Sequence, residues 1–235
     1  MTRRGFIWVH QLHKQYRDGE GNLLHILRGL DLEVQQGETV SIMGASGAGK
    51  STLLHLIGAL DSPDEGAIEV DGQDITRLSP EAGARFRNLT IGFVFQFHHL
   101  LMDFTALENV MMPMWIRAGR TLPFTDRARG LLAQVGLAER AQHRPAQLSG
   151  GEQQRLAIAR AIANTPKVLL ADEPTGNLDE ETGAKVGDLL LQLNREAGLT
   201  LLLVTHNPQL AARMSRRTVL EHGQLRSVSG SATHG

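Results

Sequence analysis

The period of hydrophobic and polar positions changes along this chain, and the changes divide it into three parts. Up to about residue 37, short apolar stretches at 6–9 and 30–34 alternate with turn residues, a pattern typical of antiparallel strands and hairpins. From residue 97 to 165 the pattern is mostly helical, with several methionines and repeated proline and glycine breaks. Strand–helix alternation returns after Lys167. The pattern predicts a parallel α/β core that carries an antiparallel flap and a helical insertion.

Single elements follow from the same periodicities. Compact apolar runs of strand length predict core strands at residues 39–43, 67–70, 91–95, 168–171 and 199–205, with a last hairpin over 218–225. Apolar spacing of three and four predicts helices over 180–196 and 207–216, and after residue 49, where one face carries Leu53, Leu56, Ile57 and Leu60.

The predicted organisation is one domain over residues 1–235. Its core comes from residues 1–96 and 166–225, and its helical subdomain from 97–165. Residues 226–235 are small and polar, so a flexible tail is expected there.

Residues 44–52, GASGAGKST, lie between a predicted strand and a predicted helix and match the spacing G-x-x-x-x-G-K-[ST]. Glycines let backbone N–H groups curl around phosphate oxygens, and the helix N-terminus adds partial positive charge. A glycine-rich turn without a ligand is the alternative, and the strand–helix context favours a nucleotide site. The predicted ATP contacts are Gly44, Ala45, Ser46, Gly47, Ala48, Gly49, Lys50, Ser51 and Thr52.

Two acids, Asp172 and Glu173, end the apolar run that starts at Val168. Acids also follow strands simply because loops are solvated. Next to a lysine-bearing phosphate loop, however, carboxylates at the carboxyl end of a parallel strand lie over the ligand crevice. We therefore expect Asp172 to hold Mg²⁺ through water, together with the Ser51 hydroxyl, and Glu173 to polarise the attacking water.

Residues 148–155, LSGGEQQR, open another predicted helix. Ser149 and Glu152 have the spacing of a capping box, which is a sufficient structural reason for both. Two consecutive glycines weaken a helix start, however, and capping does not require them. They open N–H groups at a positive helix end, which predicts a second anion site. It either binds another ligand or completes the nucleotide site of a second copy, as in a two-fold dimer.

Together these motifs resemble the ATP-binding cassette of ABC transporters over nearly the whole chain. The resemblance implies an α/β P-loop NTPase fold with an antiparallel β subdomain and a helical subdomain. It also implies ATP and Mg²⁺ as cofactors, and a homodimer. In that dimer the signature motif reaches the γ-phosphate held by the partner subunit, through Ser149, Gly150, Gly151 and Glu152.

Four more positions match motifs of the family. The resemblance implies that Gln96 senses Mg²⁺ and the attacking water, and that His206 lies beside the γ-phosphate. It places Asp179 in the loop that crosses the dimer interface and Tyr16 under the adenine. Glu173, His206 and Gln96 are thus the expected catalytic residues. Structural alternatives exist for three of these residues: a capped strand end for Gln96, an ordinary loop residue for His206 and a surface hairpin residue for Tyr16.

The amino-acid sequence of residues 93–110 and of the nucleotide motifs is similar to that of the ATPases of the lipoprotein-releasing system of Gram-negative bacteria. This implies integral membrane partner subunits (LolC and LolE, or a related homodimer) and lipoproteins as indirect cargo. The methionine-rich stretch after Gln96 would suit a partner helix. Macrolide-efflux and cell-division ATPases are the nearest alternatives. A soluble ABC ATPase acting on DNA or ribosomes and a non-catalytic scaffold are further ones. His98 and His99 lack further ligands at metal spacing and are interpreted as packing or partner-contact residues.

Composition narrows the possible partners, the possible chemistry and the expected location of the protein. A net charge of −1 argues against a nucleic-acid partner, and the absence of cysteine excludes disulfides and thiolate chemistry. No apolar run reaches the length of a membrane span, and the amino-terminal stretch lacks the apolar segment of a signal peptide. The expected location is therefore the cytoplasmic side of the inner membrane, as a peripheral protein.

Overall fold

The computed structural model of the protein describes residues 5–118 and 123–228. Within these ranges the strands are β1 (Ile7–Arg17), β2 (Leu23–Val34), β3 (Thr39–Met43), β4 (Glu65–Val70), β5 (Gln73–Asp74), β6 (Ile91–Phe95), β7 (Val168–Asp172), β8 (Thr200–Val204), β9 (Arg216–Glu221) and β10 (Gln224–Ser227). The helices are α1 (Lys50–Ile57), α2 (Pro80–Thr90), α3 (Ala106–Ala118), α4 (Thr125–Gln134), α5 (Gly150–Ala161), α6 (Glu180–Ala197) and α7 (Pro208–Ala212).

Four strands form an antiparallel sheet in the order β2-β1-β4-β5. Alternate residues of β1, such as Ile7 and Val9, are buried on one face of this sheet. They pack in the same hydrophobic cluster as Ile42 of β3 and Leu53 of α1. The flap is therefore held against the phosphate-loop strand and helix by apolar burial.

The second sheet has six strands in the order β10-β9-β3-β8-β7-β6, and all of its pairs except β9–β10 are parallel. Its register pairs Asp172 with both Phe95 and Val204, and Ile42 with Val204. The carboxyl ends of β3, β6, β7 and β8 consequently meet at one edge. Because each core strand is apolar on both faces, helices cover the sheet.

Helices α3, α4 and α5 form the helical part of the chain. Their buried side chains, among them Val110, Met114, Leu132 and Leu156, share one cluster with β7 and with α6. No helix in the described ranges is both long enough and apolar enough to cross a bilayer.

Several sequence predictions about elements were wrong. Leu60 does not lie on α1, because that helix ends at Ile57, and Leu60 is 46% exposed. The helix predicted over 207–216 is limited to Pro208–Ala212, because Arg216 already pairs with Val40 in the sheet. The stretch 97–105, in the helix-rich region, contains no helix.

The flexible tail was predicted to begin at residue 226, which is also wrong, because Arg226 and Ser227 pair with β9. Residues 229–235 of that tail lie outside the described residues. Helix α2 was not predicted at all, because few of its side chains are apolar. Ser79 caps it and Pro80 occupies its first turn, and this pair was a usable start signal.

Candidate nucleotide site

The loop between β3 and α1 depends on its glycines for two different reasons. Gly44, Gly47 and Gly49 have φ values of 148°, 76° and 100°, which side chains rarely adopt. A Cβ at Gly44 would also lie 2.5 Å from the Leu220 carbonyl oxygen, whereas at Gly47 it would meet nothing. No side chain caps α1. Its first backbone N–H groups are thus open to an anion.

The Lys50 side chain packs against the backbone of this loop, and the residue is only 6% exposed. Its Nζ donates hydrogen bonds of 2.9 Å to the carbonyl oxygens of Gly44 and Ala45, and it lies 3.4 Å from His206 Nε2. The buried ammonium is therefore held by backbone oxygens at the mouth of the loop, where it adds positive charge to the helix N-terminus.

Glu173 and His206 approach each other directly from neighbouring strands. The His206 backbone N–H donates to Glu173 Oε2 at 3.1 Å, and His206 Nε2 lies 3.2 Å from Glu173 Oε1. Glu173 has a φ of 46° and its Oε1 is buried without accepting a hydrogen bond. A buried carboxylate oxygen that lacks a donor is costly and is suited to receive one from a ligand or water.

These groups surround one open cleft of about 350 Å³. The predicted residues that line it are Tyr16, Ser46, Gly47, Gly49, Lys50, Ser51, Thr52, Asp172, Glu173 and His206. Ile26 and Val204 line it too and were not predicted. Ile26 comes from the flap and Val204 is the last apolar residue of β8, so no local motif marks either residue. Gly44, Ala45 and Ala48 belong to the loop behind this lining.

The cleft offers two oxygen ligands for Mg²⁺, which is the number that this ion usually takes from a protein at a nucleotide site. Ser51 presents a hydroxyl and Asp172 a carboxylate, and both line the same cleft as the phosphate loop. Mg²⁺ usually takes one or two protein ligands plus phosphates and waters. The described residues include no group of three or more histidine, aspartate or glutamate side chains that could hold a metal alone. The donor set therefore fits Mg²⁺ bound together with a nucleotide.

Gln96 lies at the same sheet edge, but its side chain contacts another segment. Its Nε2 donates to Asn177 Oδ1 at 2.9 Å, and Asn177 Nδ2 donates back to the Gln96 carbonyl at 3.3 Å. Gln96 does not line the cleft, so its role as a metal ligand stays a prediction. Asn177 was missed. Its place between Glu173 and Asp179 was the available signal.

Tyr16 lines the cleft at the side of the antiparallel sheet and is 39% exposed. Its hydroxyl donates to Asp61 Oδ2 at 2.7 Å. Partial burial and then the Asp61 carboxylate raise the pKa of Tyr16 to about 12, so the phenol stays a donor at neutral pH.

The signature segment caps α5 and lies outside the cleft lining. Ser149 Oγ accepts from the Glu152 N–H at 3.3 Å, and Glu152 Oε2 accepts from the Ser149 N–H at 2.8 Å. Arg140 Nε donates to Glu152 Oε1 at 3.0 Å. The Ser149 bond and then Arg140 lower the pKa of Glu152 to about 2. The predicted capping box is confirmed. A Cβ at Gly151 would lie 2.3 Å from Thr182 Cγ2, so Gly151 is required by packing as well.

Asp179, His98 and His99 have local structural contacts. Asp179 caps α6 by accepting from the Thr182 N–H at 2.9 Å, and the Thr182 hydrogen bonds lower its pKa. Burial lowers the pKa of His98, and His99 packs edge-on against Phe95. Arg160 binds the carbonyl oxygens of both histidines at 2.7 and 2.6 Å. The packing interpretation of His99 is consistent with these contacts.

A sheet with aligned carboxyl ends, a glycine-rich loop and an antiparallel flap define a P-loop ATPase of the ABC type. The model of the family described as "ABC transporter" matches residues 27–176, so the chain belongs to this family. It is the ATP-binding, ATP-hydrolysing subunit of an ABC transporter, and the predicted fold class is confirmed.

Three similar curated relatives share one description, "Lipoprotein-releasing system ATP-binding protein LolD". The chain is similar to that of Syntrophus aciditrophicus, with 52% identity covering 93% of this chain and 98% of the relative. It is also similar to that of Nitratidesulfovibrio vulgaris, with 56% identity covering 90% and 91%. The relative in Shewanella frigidimarina is 47% identical and covers 100% of this chain, which covers 98% of it.

Two solved structures of the ATP-binding cassette MJ0796 have the same architecture. One is a dimeric post-hydrolysis state bound to ADP and Pi, with a TM-score of 0.87 and 40% identity, covering 95% of this chain and 99% of the cassette. The other is a dimer of the same cassette, with a TM-score of 0.85 and 41% identity over the same shares.

Proposed function

We propose that this chain drives the release of lipoproteins from the inner membrane, as the peripheral ATPase at the cytoplasmic face of a membrane complex. The observation that carries the proposal is the combination of a nucleotide cleft at one sheet edge with 47–56% identity to the LolD relatives over 90–100% of this chain. The GNLD motif and the short cassette also resemble macrolide-efflux and cell-division ATPases, so the cargo is the part that needs a direct test.

In this proposal the loop 44–52 binds the ATP phosphates. Its open N–H groups and the Lys50 ammonium supply positive charge where the terminal phosphates lie. Ser51, Asp172 and Gln96 would hold Mg²⁺, which neutralises developing phosphate charge when bound. The Gln96 Nε2 is held by Asn177, and its Oε1 is the atom that would bind the metal.

Glu173 accepts the proton of the attacking water. Its buried Oε1 accepts no hydrogen bond, although His206 Nε2 lies 3.2 Å away, which leaves an acceptor for that water, while Oε2 is fixed by the His206 N–H. His206 Nε2 lies between the carboxylate and the Lys50 amine, so the ring is in a position to orient the terminal phosphate. Both groups come from strand ends that the parallel register aligns.

A second copy completes the site. Ser149, Gly150, Gly151 and Glu152 do not line their own cleft. Their capping box uses the N–H groups of Ser149 and Glu152, which leaves those of Gly150 and Gly151 for a ligand. The Ser149 hydroxyl accepts within the capping box but keeps its proton free to donate to a phosphate. We assign this donor to the partner copy's ATP, with Asp179 in the loop at the interface. The dimers of the similar cassette MJ0796 support this arrangement.

The membrane partner, with LolC-like or LolE-like subunits, docks on the segment that follows Gln96. Phe97 is 69% and Met102 55% exposed there, and Ile116 of α3 is 70% exposed. Such side chains suit an apolar partner helix. Because the segment continues directly from Gln96, a docked helix would act on the Gln96–Asn177 pair and hence on the loop that follows Glu173.

The test is reconstitution with the co-purified membrane subunits in liposomes that contain a mature lipoprotein. ATP should release the lipoprotein to an added carrier, and the Lys50→Ala protein should release none. Phe97→Ser should weaken co-purification, whereas Leu24→Ser, on the flap and 48% exposed, should not. Hydrolysis without lipoprotein release, but with macrolide export, would move the protein to the efflux alternative.

A further inference from the structure

The ring of Tyr16 is held from two sides by groups that the nucleotide motifs do not include. Lys14 Nζ lies 5.0 Å from the ring centroid, and the Tyr16 hydroxyl donates to Asp61 Oδ2 at 2.7 Å. The ammonium and the carboxylate are also bonded to each other, because Lys14 Nζ donates to Asp61 Oδ1 at 3.0 Å. Three side chains therefore form one closed set of contacts at the edge of the cleft.

Burial and further hydrogen bonds to Ser62 hold these three side chains in place. Lys14 is 8% exposed, and its Nζ also donates to the Ser62 carbonyl at 2.7 Å. The Ser62 N–H donates to Asp61 Oδ1 at 2.7 Å, so both carboxylate oxygens of Asp61 are used. A buried ammonium requires such a partner, and this requirement alone would explain the Lys14–Asp61 pair. It does not explain why the second carboxylate oxygen holds the tyrosine.

The loop that carries Asp61 follows α1, the helix whose N-terminus closes the phosphate loop. Asp64 also links this loop to β1 through two hydrogen bonds. Its N–H donates to the His13 carbonyl at 3.0 Å, and its Oδ2 accepts from the Gln15 N–H at 2.7 Å. One end of α1 thus faces the phosphate position, and the loop beyond its other end fixes the aromatic ring that lines the same cleft.

We propose that Lys14 and Asp61 are positioning residues that fix the Tyr16 ring for stacking on the nucleobase. The inference rests on the proposed contact between Tyr16 and the base. Lys14 occupies one side of the ring and the Asp61 bond holds its hydroxyl end in place, which leaves one face for the base. Tyr16 then supplies base affinity because its ring is ordered before the nucleotide arrives.

The experiment compares Mg-ADP with Mg-pyrophosphate, a probe that has phosphates but no base, by calorimetric titration of the full chain. Tyr16→Ala should weaken ADP about 5- to 100-fold, the range of base–aromatic stacking, and leave pyrophosphate unchanged. Tyr16→Phe keeps the ring and removes its anchor, and Asp61→Ala removes the anchor from the other side. Each should weaken ADP about three- to tenfold without affecting pyrophosphate.

The double variant Tyr16→Phe/Asp61→Ala should be no weaker than the poorer single variant, because both changes break the same bond. Asp74→Ala is the control: it removes a carboxylate of β5 in the same antiparallel sheet that bonds the Thr76 N–H and not the ring, so ADP affinity should stay unchanged. If Asp61→Ala lowers the folded fraction in circular dichroism, Tyr16→Phe decides the question, because it changes a partly exposed side chain.

Each other outcome overturns a distinct statement. If Tyr16→Ala leaves ADP affinity unchanged, the base contact of the proposed function is wrong and this inference falls with it. If Tyr16→Ala weakens ADP but Tyr16→Phe and Asp61→Ala do not, the base contact stands and the positioning role is wrong. Equal losses for ADP and pyrophosphate in Asp61→Ala would mean that the loop acts through α1 on the phosphates, which also contradicts positioning.

Discussion

Helices α1 and α5 both begin at glycine-rich segments that the sequence indicates as anion sites, yet their N-termini are built differently. α1 has no side-chain cap and starts at Gly49 with a φ of 100°. α5 is capped by Ser149 and by a complete capping box. The first terminus faces a cleft with Lys50, Glu173 and His206, and the second does not line that cleft. Only the first is a site within a single copy.

The glycines differ in their physical reason. Those of the α1 loop are required by conformation, because Gly44, Gly47 and Gly49 have positive φ values. Those of α5 lack positive φ values, and Gly151 is required by space against Thr182 of α6. Two glycine-rich helix starts that look alike in a sequence thus serve different purposes. Four substitutions sharpen or break this contrast.

The largest effect is expected at the complete site. Glu173→Gln should lower ATP turnover about 10²- to 10⁴-fold, the usual contribution of a general base, because the amide cannot accept the water proton. Nucleotide binding should persist and the ATP-bound dimer should accumulate. Phosphate release and equilibrium binding measure the two properties, with Glu196→Gln on α6 as the control. Native turnover would remove Glu173 from the chemistry.

Lys50→Ala should lower nucleotide affinity by about ten- to a hundredfold, the value of one or two charge-assisted hydrogen bonds. The physical reason is the loss of the ammonium at the loop mouth, where it is held by two carbonyl oxygens. Calorimetric titration with ATP analogues measures it, and the exposed Lys185→Ala serves as control. Unchanged affinity would mean that the N–H groups of α1 bind the phosphates alone.

At α5 the first expected effect is on stability. Gly151→Ala should lower the free energy of unfolding by about 1–3 kcal/mol, since the new Cβ meets Thr182 Cγ2. Thr182→Ser removes that methyl group and should restore most of the loss in urea unfolding. Gly47→Ala is the control, because its strain comes from φ and Thr182→Ser should not relieve it. Absence of rescue would contradict the packing explanation.

The smallest expected effect separates capping from partner contact. Ser149→Ala and Ser79→Ala each remove a serine cap and should each cost about 1 kcal/mol in unfolding. In a Glu173→Gln background, only Ser149→Ala should also weaken ATP-dependent dimerisation, measured by sedimentation. If ATP binding by the monomer weakens instead, Ser149 does not belong to a composite site.

The sequence was sufficient for features that depend on a short segment. The core strands at 39–43 and 91–95 were predicted with their observed bounds, and α6 within one residue, because an unbroken apolar run or a repeat of three and four is local information. The capping box at Ser149 and Glu152 is local for the same reason. Element ends were less predictable: Leu60 leaves α1, and residues 213–216 leave α7, because neighbouring strands and turns compete for them.

Long-range contacts were not readable in the sequence. Ile26 and Val204 enter the cleft from the flap and a core strand, Asn177 binds Gln96 from 81 positions away, and Asp61 reaches Tyr16 across 45 positions. No local pattern encodes such distances.

By itself, the sequence determined the core strands and the phosphate loop and predicted the residues that would bind and hydrolyse ATP, because each depends on local periodicity or on the chemistry of a short motif. Only the tertiary structure decided that Glu173, His206 and Lys50 meet at one edge, and that Gly151 must be small. Those facts depend on sheet register and helix packing, which arise when distant segments bury apolar surface against each other.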